Sequence, residues 1–354
     1  MLHRLALLTS LSLAGFAADA AALPLAIAPG DAALAWSGRW DTAQADGPRC
    51  EWPAGSVRFV TDATAVNAVL GGGKGHAFQV VVDGKATSVV TLAEGQSVYE
   101  AAAGLPAGTH TIELVKRTEC WGGPVQVKGF QLSAGAKASA APAFKRRVEF
   151  LGDSITCGYG NEAADEKQHF NFTTENAWLA WGAVTARQLE ADYHCEAVSG
   201  IWLQDNGKKD PLPKLWDRTM PFSKGQPWDF AKWQADVVVI NLGTNDSGAK
   251  VIDEGKWAAA YKDFIAKIRA AYPNAHIFLT IGSMGHGPQG VIPKYNDAIV
   301  AALKAAGDAK VHAVAINNQD KGRNGIGADW HPSVKTHQLM ADQISAEIRK
   351  ELGW

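Results

Sequence analysis

The sequence predicts an all-β domain followed by an α/β domain built on a parallel sheet, and three observations carry that expectation. Residues from about 30 to 133 form short runs in which apolar and polar side chains alternate, broken by Gly and Asp. From Arg147 onward the strand-like runs are apolar throughout and are separated by segments long enough for helices. Between the two rhythms lies "SAGAKASAAPAFK", Ser133 to Lys145, small, polar and Pro-containing, the composition of a linker. At 354 residues the chain exceeds the about 100 to 200 residues of a usual domain, which agrees with two.

Taken in order, the chain opens on "MLHRLALLTSLSLAGFAADA", with basic His3 and Arg4, an apolar run, and the small-x-small triplet Ala18, Asp19, Ala20. That pattern predicts a signal peptide over residues 1–20, hence a secreted or periplasmic protein. The apolar run is too short for the roughly 20 residues that cross a bilayer. An accessory β domain is expected over 21–135. Its runs "SVRFVT", "AVNAVL", "HAFQVVVDGK", "TSVVTL", "THTIELVKRT" and "VQVKGFQLS" fit strands, with Asp83 and Gly84 as a tight hairpin turn. Many short strands at this spacing imply a β-sandwich or jelly roll. Residues 136–145 are read as linker, and 146–354 as the second domain. There "RVEFL", "YHCEAVSG", "ADVVVINLG", "AHIFLTIG" and "VHAVAIN" read as strands buried on both faces of a parallel sheet. In "VKTHQLMADQISAEIRKEL", His337, Met340, Ile344 and Ile348 make a stripe at helical spacing.

A net charge of -2 without charge blocks offers no surface for nucleic acid, and no segment past the leader is long and apolar enough for a membrane. Four cysteines in an exported chain allow two bridges. Cys50 and Cys120, each beside a Trp, are the favoured pair, and Cys157 and Cys195 are expected reduced and buried. With no Cys or His pairs at ligand spacing, neither a metal nor another cofactor is expected.

In parallel sheets, ligands bind beyond the carboxyl ends of the strands. Ser154 in "GDSIT", Gly200 in "AVSGIW" and Asn245 in "NLGTNDS" each follow such an end, and His331 lies in "DWHPS". A serine hydrolase needs a nucleophile, a base, and donors aimed at the oxyanion. Ser154 at a helix start supplies a hydroxyl and an N–H, Gly200 a close backbone approach, Asn245 a side-chain amide, and His331 an imidazole. Each alone has an ordinary explanation: a cap, a turn, an Asx motif. Together, in this order on one sheet edge, they read as one site. Asp153, just before the serine, is read as pinning the turn through backbone N–H groups.

These four blocks resemble the SGNH, or GDSL, hydrolase superfamily. The preceding β-sandwich, with "GDSITCGYGNE", "KLWDRTMPF", "WDFAKWQADVVVINLGTND" and "DWHPS", is similar to carbohydrate esterase family 2. The resemblance implies an SGNH-type, flavodoxin-like five-stranded parallel sheet with helices on both faces. It also implies a cofactor-free esterase of the acetyl xylan esterase type, removing O-acetyl groups from hemicellulose. Ser154 would be nucleophile and His331 general base, with Ser154 N–H, Gly200 N–H and the Asn245 amide as oxyanion hole.

One position departs from the pattern: Ala328 stands where an Asp is usual, three before the His, and Asp329 is only two before. Either Asp329 orients the imidazole, or a main-chain carbonyl does and the enzyme is a Ser/His dyad. Asp329 is favoured, because a carboxylate also stabilises the imidazolium. Most of the thirteen Trp residues are expected in cores. Trp330, beside His331, is the expected sugar-binding ring, with Trp202 as a weaker second. The expected substrate is an acetylated plant cell-wall polysaccharide or its oligosaccharides. A lipase or lysophospholipase acting on other acyl esters is the alternative, and an inactive carbohydrate-binding protein a third.

Overall fold

A computed structural model describes residues 25–207, 209–247, 252–284 and 290–354; the signal peptide read at 1–20 lies outside them. The strands β1 (Leu25–Ile27), β2 (Ala35–Ser37), β3 (Arg49–Cys50), β4 (Ser56–Thr61), β5 (Val66–Gly72), β6 (Ala77–Val82), β7 (Lys85–Thr91), β8 (Val98–Ala102), β9 (His110–Lys116), β10 (Val125–Leu132) and β11 (Ala138–Ala140) come first. They form two antiparallel sheets. One is ordered β1-β10-β5-β8 with β3 on β10, the other β11-β4-β9-β6-β7 with β2 on β4. Alternation explains why they stack: on β5 every second side chain is buried, and Phe59 of β4 meets Phe130 of β10 at 4.7 Å between ring centres. The β6–β7 hairpin turns where expected, with φ of 50° at Asp83 and 76° at Gly84, the paired positive values of a two-residue hairpin turn.

Two expectations need correcting here. The stretch 136–145 is not free linker: β11 pairs antiparallel with β4, and Thr61 Oγ1 donates to the Lys137 carbonyl at 2.7 Å. Small Ala and Ser side chains let this segment lie flat as an edge strand. Cys50 and Cys120 are unbridged, as are Cys157 and Cys195. Cys50 packs in the sandwich core, whereas Cys120 packs with Trp52, Leu215 and Trp216 in a different core.

The second unit is a five-stranded parallel sheet ordered β13-β12-β14-β15-β16. It comprises β12 (Arg146–Gly152), β13 (Ala191–Ala197), β14 (Val237–Asn241), β15 (His276–Thr280) and β16 (Val311–Ala313). Its helices are α1 (Ser154–Cys157), α2 (Trp181–Gln188), α3 (Leu212–Leu215), α4 (Thr244–Ser247), α5 (Glu254–Ala271), α6 (Ile292–Ala305), α7 (Lys321–Asn324) and α8 (Val334–Leu352). Successive strand residues feed opposite layers. Val237 and Val239 join the core under α2 and α8, while Val238 and Ile240 join the core under α5 and α6. A strand covered on both sides needs apolar residues at every position, hence the continuous runs. Met340, Ile344 and Ile348 of α8 are buried as the stripe predicts, each worth roughly 1.5–3 kcal/mol in area removed from water. Among the described residues no helix is long and apolar enough to cross a membrane.

The sandwich and the sheet share buried charge. Arg39, from the sandwich, pairs with Glu149 of β12 at 2.7 Å and Glu196 of β13 at 3.0 Å, all three side chains fully buried. Burial alone would push the guanidinium down, but Glu196 and Glu149 outweigh it and hold it above its ordinary value. Glu149, His194 and Glu196 lie close enough together to hold a metal ion, and the Arg39 guanidinium supplies the positive charge in their midst. Trp52 Nε1 also crosses the boundary, donating to the Arg218 carbonyl at 3.2 Å.

Candidate active site

The strand order itself reverses at β12, with β13 on one side and β14 on the other. Ligands in such sheets bind at that crevice. The ends are in register: Gly152 pairs with both Ala197 and Asn241. Ser154, Gly200 and Asn245 therefore leave one rim within a few residues of a common row, as their spacing predicts.

Ser154 is the first residue of α1. Asp153 caps that helix, its Oδ1 accepting from Ile155 N–H at 3.0 Å, the backbone role expected of it. Burial raises the Asp153 carboxyl to about 7. Ser154 N–H has no partner among the described residues, as first-turn amides lack one within a helix.

His331 Nε2 lies 2.8 Å from Ser154 Oγ. Its Nδ1 donates to the Ala328 carbonyl at 3.1 Å, and this fixes the tautomer: Nε2 keeps its lone pair and accepts the serine proton. Burial lowers the imidazole below its ordinary 6.5. His331 stands two residues before Ser333, which caps α8, so Pro332 precedes the helix instead of opening it.

Asp329 does not hold the imidazole ring, which corrects the favoured reading. The backbone is left-handed at both Asp329 (φ 48°) and Trp330 (φ 67°), a conformation that costs of order 1–3 kcal/mol per residue outside glycine. That double bend brings the Ala328 carbonyl to Nδ1 and sends the Asp329 carboxylate elsewhere. It accepts from Tyr159 Oη at 2.8 Å, His169 Nδ1 at 2.7 Å and Phe170 N–H at 3.1 Å. Burial alone would raise this carboxyl, but the His169 and Tyr159 hydrogen bonds outweigh it and keep it below its usual value. The bend is secured from below, where Ala328 N–H donates to the Gly160 carbonyl at 3.0 Å. A Cβ on Gly160 would stand 2.3 Å from the Ala328 side chain, so glycine is required there.

Spacing and composition did not single out Tyr159, yet its ring stacks on His331 with centres 4.1 Å apart. Its signal was its place in "GDSITCGYG", five residues past the serine. Gly200 occupies the third position of a turn closed by Ile201 N–H to the Val198 carbonyl at 3.2 Å. Its φ of 76° is what that position demands of glycine. Its N–H is without a partner among the described residues. Asn245 Nδ2 donates to the Ile201 carbonyl at 3.0 Å, and the Asp246 carboxylate accepts from Leu203 and Gln204 N–H at 3.0 and 2.8 Å. Asn245 thus ties the end of β14 to the Gly200 turn.

Trp330 is 55 % exposed on the rim, with Lys321 Nζ 5.2 Å from its ring centre. Trp202 is half-buried and lines a cavity of about 300 Å³ beside Ser199 and Gly200. Across that cavity Trp121, from the sandwich, stacks on Phe222 at 5.2 Å, and both are exposed. Neither ring was expected from the sequence, because nothing local relates Trp121 to the sheet rim. The assembled groups can deprotonate a hydroxyl, hold an oxyanion and receive a flat apolar ring.

Comparison with known proteins agrees with this architecture. Residues 36–142 match the family described as "Carbohydrate esterase 2 N-terminal", and residues 150–339 match the "GDSL-like Lipase/Acylhydrolase family". The chain belongs to carbohydrate esterase family 2. It is 39% identical over 325 residues to "Cellulase/esterase CelE" of Acetivibrio thermocellus, a match that takes in 91% of this chain but 40% of that longer protein. An "Acetylxylan esterase / glucomannan deacetylase" of Cellvibrio japonicus is 30% identical over 294 residues, 78% of each protein. The structure of a family two carbohydrate esterase from Clostridium thermocellum in complex with cellohexaose superposes with a TM-score of 0.86 at 39% identity. That superposition covers 91% of this chain and 99% of the other.

Proposed function

We propose that this family 2 esterase removes O-acetyl groups from hemicellulose polysaccharides or oligosaccharides through a Ser154 acyl-enzyme. The observation that carries the chemistry is the 2.8 Å contact of Ser154 Oγ with His331 Nε2. Ser154 Oγ attacks the acetyl carbonyl and its proton passes to Nε2. The oxyanion is met by Ser154 N–H, Gly200 N–H and the Asn245 amide. Collapse breaks the ester bond, and the proton on Nε2 goes to the departing sugar hydroxyl. Water, giving its proton to Nε2, then frees acetate and returns the serine hydroxyl. The Ala328 carbonyl, not a carboxylate, orients the base, so the catalytic pair is a Ser/His dyad.

The carbohydrate half of the reading is supported by aromatic surface near the site: Trp330, exposed beside His331 in the chain, and a small cavity next to Gly200 lined by half-buried Trp202 and the exposed Trp121–Phe222 pair. The name of the Cellvibrio japonicus relative supports the same substrates. The leader-like residues 1–20 support export to where such polymers are met.

Acetate release from acetylated xylan and acetylated glucomannan tests the reading, with Ser154→Ala as the control and a serine-directed fluorophosphonate as the label for Ser154. Release by the wild-type protein and none by Ser154→Ala is expected. Turnover confined to long-chain acyl esters would favour a lipase instead.

A further inference from the structure

The sandwich domain reaches the reacting centre through one buried carboxylate. The chain leaves β9 at Lys116 and passes directly under the Gly200 turn. There Glu119, fully buried, accepts from Ser199 N–H at 2.7 Å through Oε2 and from the Ser199 hydroxyl through Oε1. Both donors of the residue preceding Gly200 thus end on one side chain from the other domain.

The groups around Glu119 hold it still. Lys116, itself buried, donates from Nζ to the carbonyls of Glu51 at 3.2 Å, Thr118, and Glu119 at 2.9 Å, and so fixes the loop backbone. Glu119 N–H donates to Glu175 Oε2 at 3.0 Å. The Cys157 thiol, three residues past Ser154, lies 3.7 Å from Glu119 Oε2. Burial raises both carboxyls above their ordinary values, and at Glu175 the charge of Glu119 adds to the rise.

We infer that Glu119 is a positioning residue for catalysis: by holding the N–H and hydroxyl of Ser199 it fixes the residue from which the next peptide, carrying Gly200 N–H, is aimed at the oxyanion. This rests on the esterase reading above and extends it, since it makes the sandwich part of the active site. By themselves, the Val198–Ile201 bond and the Asn245 bond to the Ile201 carbonyl hold the ends of the turn and leave the peptide between Ser199 and Gly200 free to rotate. An oxyanion donor acts through geometry established before the reaction begins, so a loose donor loses transition-state binding and leaves substrate binding intact.

The test uses the full chain and 4-nitrophenyl acetate. Glu119→Ala should lower kcat about 10- to 100-fold, less than the about 10²–10³ for outright loss of one oxyanion donor because the donor is loosened and not removed, with KM within about twofold. Fluorophosphonate titration counts folded sites, so kcat is taken per competent enzyme. Glu119→Gln keeps an acceptor for Ser199 N–H, and an amide that can donate to the hydroxyl, and should recover most of the loss. Should Glu119→Ala not fold, Ser199→Ala, which gives up the hydroxyl bond alone, should lower kcat several-fold at unchanged melting temperature. Wild-type kcat per titrated site in Glu119→Ala, or in Ser199→Ala where that variant carries the test, overturns the inference while the esterase reading stands; so does a Gln variant no better than Ala. A wild type that turns over no acetyl ester sinks both.

Discussion

The Tyr159 hydroxyl donates to Asp329 at 2.8 Å while its ring stacks on His331 at 4.1 Å, so the carboxylate expected to touch the base reaches it through an aromatic spacer. A carboxylate bonded directly to a catalytic His is worth about 10⁴ in turnover. Asp329→Ala should cost far less, about tenfold, because the Ala328 carbonyl still receives Nδ1–H. Tyr159→Phe keeps the ring and should cost less again. Steady-state kcat on an acetyl ester checks both, and a thousandfold loss in Asp329→Ala would contradict the dyad.

The His331 imidazole must be neutral to act as base, and burial lowers its pKa below 6.5. Activity should therefore rise with pH through a midpoint below 6.5 and be level by neutrality. A kcat/KM profile on 4-nitrophenyl acetate reads that midpoint directly. A midpoint above 6.5 would show that the ring gains stabilisation as imidazolium in the free enzyme.

Trp330 is exposed at the rim, next to His331 in the chain. Trp330→Ala should raise KM for acetylated xylo-oligosaccharides about tenfold, ~1.4 kcal/mol, and leave KM for 4-nitrophenyl acetate nearly unchanged. Equal effects on the two substrates would assign the ring to holding the His331 loop.

Arg39 pairs with two carboxyl groups that have no access to water, and burial outweighs its charge at Glu196, which is raised well above the usual carboxylate range. Arg39→Met leaves Glu149 and Glu196 buried without their cation, a change that costs about 3–5 kcal/mol. Urea unfolding should show that loss as a single shifted transition for both domains. A shift under 1 kcal/mol would mean the two carboxyls accept protons at little cost.

All four thiols are free and buried, and burial pushes Cys50 up to about 12. A thiol reagent should find none in the native protein at neutral pH and four per chain once it is unfolded without reductant. Two per chain would restore the bridge expected from the sequence.

Features that repeat along the chain were legible before the structure: alternation made the sandwich strands, unbroken apolar runs made the parallel sheet, and Ser154, Gly200 and Asn245 announced themselves by following strand ends. What stayed hidden depends on backbone conformation or on distant partners. The left-handed bend at Asp329 and Trp330 has no residue signature, since neither is glycine, so spacing alone pointed the carboxylate at the wrong atom. Cys50 and Cys120 looked alike locally, yet they serve separate cores. Arg39 with Glu149, and Glu119 with Ser199, are joined across 110 and 80 positions, beyond any local pattern.

The shared ion pair of Arg39 has a consequence for how such a chain can be altered by recombination. A front half exchanged for a foreign sandwich would strand two carboxyl groups inside the hydrolase sheet. The front half is therefore no interchangeable cassette, and grafts that keep the guanidinium at that depth are the ones expected to yield soluble hybrids.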